Sequence, residues 1–488
     1  MTSSSQNPAF LTRRHMIGVT AAGLAAAPHA SYSAASDTLH IEVAAKAKAI
    51  AGEQATLLML IPNGSAANVS PVAKMFRDLT GVDVLTREVP VDEINAQLTL
   101  DGLSGEADYD LALPATFGIP DLVDAGVIRP LTEYARRHEP HRFRDDILYS
   151  IGDTFDGEIY GFQADGDTYV MFYNNMWMSD PDQQAKYADR FGKALDIPQT
   201  WEDLDQQMAF FHRPDEDKFG GALFRTPAYL AWEWWVRFHA KGVWPFSQDL
   251  EPQVASDAGL SALEDMIKAT DSLYPQARAA GLFENWEHYA HGNIYANIGW
   301  GGSQKYLNGP NSKMRGNMRF GMIPTSKEHT AFSGMPYFNW GWNYVVSTMC
   351  KQPELSYLLG LFASTPHVST ISVRQQGGYF DPFRPEHYQD PEIRKIYTPE
   401  FLEVHGKSLQ SSIPDLYLAQ QGEYFRVLID ALDAAVNGNA KPESALKRVE
   451  TQWSILNLRA GRDAQKKRWI ALREKYPKAA QNFLRDLD

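Results

Sequence analysis

The chain has 488 residues, a net charge of −14 and a single cysteine, Cys350. Such a charge repels nucleic acid and anionic lipid, and one thiol excludes an intrachain disulfide, a Cys-rich iron–sulfur site and Cys-x-x-Cys-His haem attachment. The length predicts two or three domains or two lobes, each able to bury a core, and 12 Trp, 22 Tyr and 24 Phe exceed what those cores need, which points to a ring-lined pocket.

At the N-terminus, Arg13 and Arg14 precede an uncharged Ala/Gly-rich run over residues 16–27. Paired arginines ahead of a weakly apolar run resemble the bacterial twin-arginine export signal. A bilayer-spanning helix takes about 20 residues, so this run reads as a cleaved h-region rather than an anchor. Ser33-Ala34-Ala35 offers a small-x-small processing site, so the signal is placed at 1–35 with cleavage near residues 30–36. The mature protein is expected to be periplasmic, exported folded, not inserted in the membrane, and monomeric.

Residues 56–61 form an apolar run of strand length closed by Pro62-Asn63-Gly64. Ser70-Pro71 reads as an N-cap with proline at the first helical position, and Val72, Met75, Phe76 and Leu79 recur at helical spacing until Gly81. A strand over 82–89, a helix over 92–103 and a strand over 109–113 complete a β-α-β-α-β order, which implies a parallel sheet flanked by helices. Ligands of such sheets sit beyond the carboxyl ends of the strands, which singles out Asn63 in one turn and Thr116 and Phe117 in the next. Near the C-terminus, residues 424–435 read as a helix, Asn437-Gly438-Asn439 stops it, and a further helix begins at Pro442 and runs past Trp453.

Five segments in order carry a family resemblance: Phe76-x-x-x-Thr80-Gly81; Tyr160-Gly161 followed by Phe172-Tyr173-Asn174-Asn175; Pro198-x-Thr200-Trp201-Glu202-Asp203-Leu204; Ile298-Gly299-Trp300; and Gly377-Gly378-x-x-x-Pro382-x-Arg384. Over residues 55–460 the chain resembles the extracellular solute-binding proteins of sugar-importing ABC transporters, the family that includes the maltose-binding type. The resemblance implies an α/β, two-lobed periplasmic-binding-protein-like fold of type II, each lobe a mainly parallel sheet flanked by helices and joined by crossing hinge strands. Crossings are placed near 165–171, 343–348 and 395–410, giving one lobe from 36–166 with 347–400 and another from 167–346 with 401–488. It implies a carbohydrate or polyol ligand and ABC permease subunits as partners.

Within this frame no catalytic residue stands out. His288 and His291 lack the context of a metal site, the paired glycines are not followed by Lys-Ser/Thr, and no Gly-x-Ser-x-Gly elbow occurs, so neither a metal nor another cofactor is expected. Asp165 and Asp167, two apart, would project the same way from a strand and accept hydroxyl hydrogen bonds; the alternative is an Asp-Gly-Asp surface turn. Trp300, between glycines, is the residue expected to stack on a sugar face, a role the resemblance also assigns to it. Phe338, Trp340 and Trp342 would share one strand face, with Trp340 preferred for the ligand. Trp232, Trp234 and Trp235 read mainly as core, with one within reach of the cleft. Tyr379 and Arg374 flank Gly377-Gly378 beside Arg384, where an arginine would clamp a hydroxyl pair or an anionic group. The expected function is capture of a sugar or sugar derivative by hinge closure; the rival readings are an exported carbohydrate-active enzyme and a cofactor-dependent redox protein.

Overall fold

The computed structural model describes residues 32–327 and 334–487. Arg13, Arg14 and the run 16–27 lie outside them. The first described element, a helix over Tyr32–Ile50, was not legible as one in the sequence; its Val43, Ala44 and Ala47 are buried against helices Ala66–Thr80, Pro353–Ala363 and Pro366–Val373. Ser33-Ala34-Ala35 falls in its first turn. Among the described residues no helix is long and apolar enough to cross a membrane.

Among the described residues eleven strands follow: β1 Thr56–Pro62, β2 Asp83–Val89, β3 Leu111–Ala112, a β4–β5 hairpin at Thr154–Phe155 and Glu158–Ile159, β6 Gly161–Gln163, β7 Val170–Asn174, β8 Phe219–Ala222, β9 Ile294–Gly299, β10 Met318–Met322 and β11 Asn343–Val346. They build two larger sheets, ordered β2-β1-β3-β11-β6 and β10-β7-β9-β8. The two-lobed α/β fold is therefore present, and in each sheet a single strand, β11 in the first and β7 in the second, runs against the others. β1 runs parallel to β2 and β3, whereas β11 is antiparallel to β3 and β6. In the second sheet β7 is antiparallel to β9 and β10, and only β8 runs parallel to β9. The reversed strands β7 and β11 follow the segments where the chain passes between the sheets, and a strand entering from the other lobe runs against those built from local crossovers.

Between β6 and β7 the chain passes from the first sheet to the second. The return is earlier than 343–348, because β11 is itself a strand of the first sheet; the chain comes back before Asn343. The outgoing and returning segments run side by side: Ala164 N–H donates to Trp342 O at 2.9 Å and Tyr169 N–H to Tyr337 O at 3.0 Å.

One helix start differs from expectation. The helix begins at Ala66, so Pro71 lies inside it rather than at its first position, and Gly81 ends it at φ 81°. A Ser-Pro pair looks the same at either place; tertiary bonds fix the earlier start, with buried Asn68 donating to Ser372 O at 2.8 Å and accepting from Tyr379 N–H at 2.9 Å. The C-terminal helices Gln421–Val436 and Pro442–Arg459 fall where the sequence places them and pack on each other.

Candidate functional site

The site is built where β9 ends. All six residues of β9 are buried, the chain turns at Trp300, and a helix runs over Gly301–Leu307. The Trp300 N–H is capped by Ser303 Oγ at 3.1 Å, and the Gly301 N–H donates to Asp381 Oδ2 at 2.7 Å. A carboxylate at a helix N-terminus meets unpaired N–H groups and the positive end of the dipole. Glycine is required at 301 by the close approach: a Cβ there would lie 2.3 Å from Asp381 Oδ1.

Asp381 joins Asp165 and Asp167 in a cluster whose carboxylate oxygens lie within 4.8 Å of one another, a geometry that would also hold a metal ion. Asp381 accepts from Tyr397 OH at 2.8 Å and donates its own N–H to Asp165 Oδ1 at 2.6 Å. Asp167 Oδ2 accepts from Gly341 N–H at 3.2 Å, while buried Asp165 Oδ2 has no partner. Burial, then repulsion within the cluster, raises the Asp165 and Asp167 carboxyls well above the usual carboxylate range. The nearby base, Lys305, is 2% exposed and donates to the carbonyls of Val373, Gln375 and Phe380 at 2.9–3.1 Å. Burial brings its ammonium down to about 8 against the pull of the three aspartates.

Around Asp167 the rings close in. Trp300 packs on Tyr169 at 4.7 Å and stands perpendicular to Trp340 at 5.8 Å; Trp342 lies 6.2 Å from Trp340 and 6.0 Å from Tyr379. They leave a chamber of about 20 Å³ walled by Val91, Asp167, Leu282, Trp286, Trp300, Gly302, Trp340, Trp342 and Tyr379. Tyr379 OH donates to Asn63 O at 3.2 Å in the turn after β1, while Trp300 extends from the second sheet. A second chamber of about 320 Å³ shares Val91 and Trp340 as walls and adds Asp92, Asn95, Phe117, Trp232, Gln421, Phe425 and Arg426 among others. Three indole N–H groups of the small chamber, on Trp286, Trp340 and Trp342, are buried without a hydrogen-bond partner. A larger cavity of about 640 Å³ lies elsewhere, between the β4–β5 hairpin and helix Arg462–Lys475, away from the acidic cluster and the tryptophans.

Of the residues expected from sequence, Asp167, Trp300, Trp340 and Tyr379 meet at the small chamber, and Phe117 lines the larger one. Asp165 sits behind Asp167, fully buried, so the Asp-Gly-Asp segment is not a surface turn. Asn63, Thr116 and Arg374 are not chamber walls. Asn63 is exposed and its Oδ1 holds the Val91 N–H at 2.8 Å. Thr116 is buried, donates to Asn343 Oδ1 at 2.6 Å and fixes the Trp340 turn through its N–H to Trp340 O at 2.9 Å. Arg374 is ion-paired with Asp390, and Arg384 is buried with Asp146 and Ser364 O, so neither arginine reaches the cleft as an anion clamp. Residues 338–342 are not a strand: Trp340 at φ 72° and Gly341 at φ 58° form a left-handed turn, and Phe338 stacks on Tyr149 at 3.9 Å. Trp234 and Trp235 are core, while Trp232 reaches the larger chamber.

Sequence reasoning missed Asp381, Lys305 and Trp286. Asp381 lies inside Gly377-Gly378-x-x-x-Pro382, so it had a signal. Leu282 and Trp286, four apart on one helix, carry the ordinary pattern of a core-facing stripe.

Residues 72–396 match the family of bacterial extracellular solute-binding proteins, and the chain belongs to it. No curated protein sequence matches. Among solved structures, the chain is similar to an ABC transporter solute-binding protein from Agrobacterium radiobacter K84 in complex with ribitol, at TM-score 0.70 and 18% identity over 82% of this chain and 98% of that one. It is also similar to the maltose-bound T. maritima MalE3, at TM-score 0.69 and 15% identity over 82% and 100%, and to a solute-binding protein from Agrobacterium vitis S4 with bound D-mannitol, at 0.67 and 16% over 83% and 99%. The family and these relatives are binding proteins.

Proposed function

We propose that this protein is the substrate-binding component of an ABC importer and captures a sugar or polyol by closing its two lobes. The supporting observation is the small chamber, where rings from both lobes meet over a buried carboxylate and unpartnered indole N–H groups. Sugar faces present C–H groups to indole rings, and the hydroxyl rim takes one donor and one acceptor partner per group. Ribitol, maltose and D-mannitol in the structural relatives support the same ligand class. The family and these relatives are binding proteins, which favours binding over turnover.

Walls supplied by two lobes mean that the ligand makes its full contacts only when the lobes approach, so binding shifts the hinge equilibrium by the extra contact free energy. A thermal-shift screen of monosaccharides, oligosaccharides and polyols tests the reading: a ligand at about 100 times its dissociation constant stabilises by about 2.7 kcal/mol. Small-angle scattering with that ligand should show a smaller radius of gyration. A protein stabilised by none of them, or one that binds without contracting, would contradict the proposal. The twin-arginine route rests on Arg13 and Arg14. Replacing both with Lys should leave precursor in the cytoplasm, and normal periplasmic accumulation of that variant would remove the argument.

A further inference from the structure

We propose that the ligand of this cleft carries a protonated amine beside a hydroxyl group, the ammonium seated in the small chamber against Asp167 and the hydroxylated body in the larger one. This rests on the carbohydrate reading above and narrows it to amino sugars and amino-polyols.

Charge bookkeeping leads there first. Asp165, Asp167 and Asp381 crowd within 4.8 Å, and the base beside them, Lys305, turns its Nζ to three backbone carbonyls instead. With every group ionised the cluster would keep two negative charges in excess of that lysine. Buried carboxylates are stable only when paired, hydrogen-bonded or protonated, and Asp165 Oδ2 has no hydrogen-bond partner. A ligand cation supplies the missing charge at Asp167, the member that reaches the cavity.

The walls agree. Indole and phenol faces are negative, and an ammonium group over them is attracted by the ring quadrupole; Trp286, Trp300, Trp340, Trp342 and Tyr379 surround this chamber. Its volume of about 20 Å³ holds one group the size of water or ammonium, while the 320 Å³ beyond Trp340 and Val91 accommodates a larger body. The N–H groups of Trp286, Trp340 and Trp342 are buried without a partner around the same chamber, and a hydroxyl next to the amine, as in a vicinal amino alcohol, offers an acceptor oxygen beside the cation.

The experiment is isothermal titration of the mature protein with matched pairs: glucosamine against glucose, and N-methylglucamine against sorbitol. The amino member should bind at least about 30-fold tighter, as expected when a buried carboxylate gains an opposite charge. Asp167→Asn should shrink that ratio below about threefold while moving the neutral member's affinity less. Equal or better binding of the neutral members by the natural protein overturns the proposal while leaving the carbohydrate reading intact, and it decides the matter even where Asp167→Asn does not fold. Binding of choline or spermidine, with no binding of any sugar or polyol, overturns the carbohydrate reading and with it the amino-sugar assignment. Absence of binding by all of these probes overturns the amino-sugar assignment, and the carbohydrate reading falls with it where the thermal-shift screen of oligosaccharides and polyols is also blank. Tight calcium binding that Asp167→Asn abolishes makes the cluster a metal centre and also overturns the proposal.

Discussion

Trp340 combines two costs that a neutral core residue would not combine, and truncating it separates them. It is 4% exposed among Phe117, Tyr229, Trp232, Trp300 and Trp342, with ring centroids 5.2–6.4 Å away, yet its φ is 72°. Removing a buried tryptophan side chain typically costs about 3–5 kcal/mol. A left-handed backbone costs an L-residue roughly 1–2 kcal/mol, which glycine avoids, while glycine gives up about 0.4–1 kcal/mol to alanine through its freer unfolded chain. Trp340→Gly should therefore be more stable than Trp340→Ala by about 0.5–1 kcal/mol, reversing the order found at ordinary positions, with both well below the natural protein. Urea unfolding followed by far-ultraviolet circular dichroism measures it. An alanine variant more stable than the glycine variant by about 0.4–1 kcal/mol would show that the turn carries no strain. Both variants should also lose ligand affinity, because Trp340 walls both chambers; unchanged affinity would place the ligand elsewhere.

Two further outcomes are expected. Gly301→Ala puts a Cβ within 2.3–2.6 Å of the Asp381 carboxyl and breaks its 2.7 Å bond to the helix N-terminus, so it should cost at least about 2 kcal/mol in stability and weaken binding at the adjoining chamber; a variant that unfolds in urea as the natural protein does would refute the close approach. Burial raises the Asp415 carboxyl to about 7, so the folded state holds a proton that the unfolded chain releases near pH 4, and stability from this group is lost as pH rises between about 4 and 7. Asp415→Asn should remove that component: the variant should gain on the natural protein by an amount of order 4 kcal/mol as pH rises across the window, as measured by urea unfolding. A constant difference would refute the shift.

The parts of this protein that could be read from sequence are those set by local pattern. β1, β2 and the helices starting at Gln421 and Pro442 follow from apolar periodicity and Gly/Pro punctuation. Trp300, Asp167 and Tyr379 are legible as candidates because glycines beside aromatics and paired acids are unusual, and the structure brings all three to one chamber. What stayed hidden depends on long-range closure. Asp381 meets Asp165 across 216 residues, and nothing local distinguishes a carboxylate that will cap a helix in the other lobe from one that faces water. Arg374 and Arg384 show the converse: beside a Gly-Gly turn they looked like ligand clamps, but Asp390 and Asp146 neutralise them.

The 338–342 segment shows why residue alternation misled where composition did not. Phe-Asn-Trp-Gly-Trp alternates as a strand would, but Gly341 at φ 58° lets the chain turn, and its N–H is thereby directed to Asp167 Oδ2. The same turn separates Phe338, stacked on Tyr149 in the core, from Trp340 and Trp342 at the cleft. Because the turn is held on one side by Thr116 of the first lobe and on the other by the Asp165–Asp167 crossing, lobe geometry and ring placement are coupled. If the lobes close as proposed, this short returning segment, tied to both Thr116 and Asp167, is the element through which ligand contact and closure would act on each other.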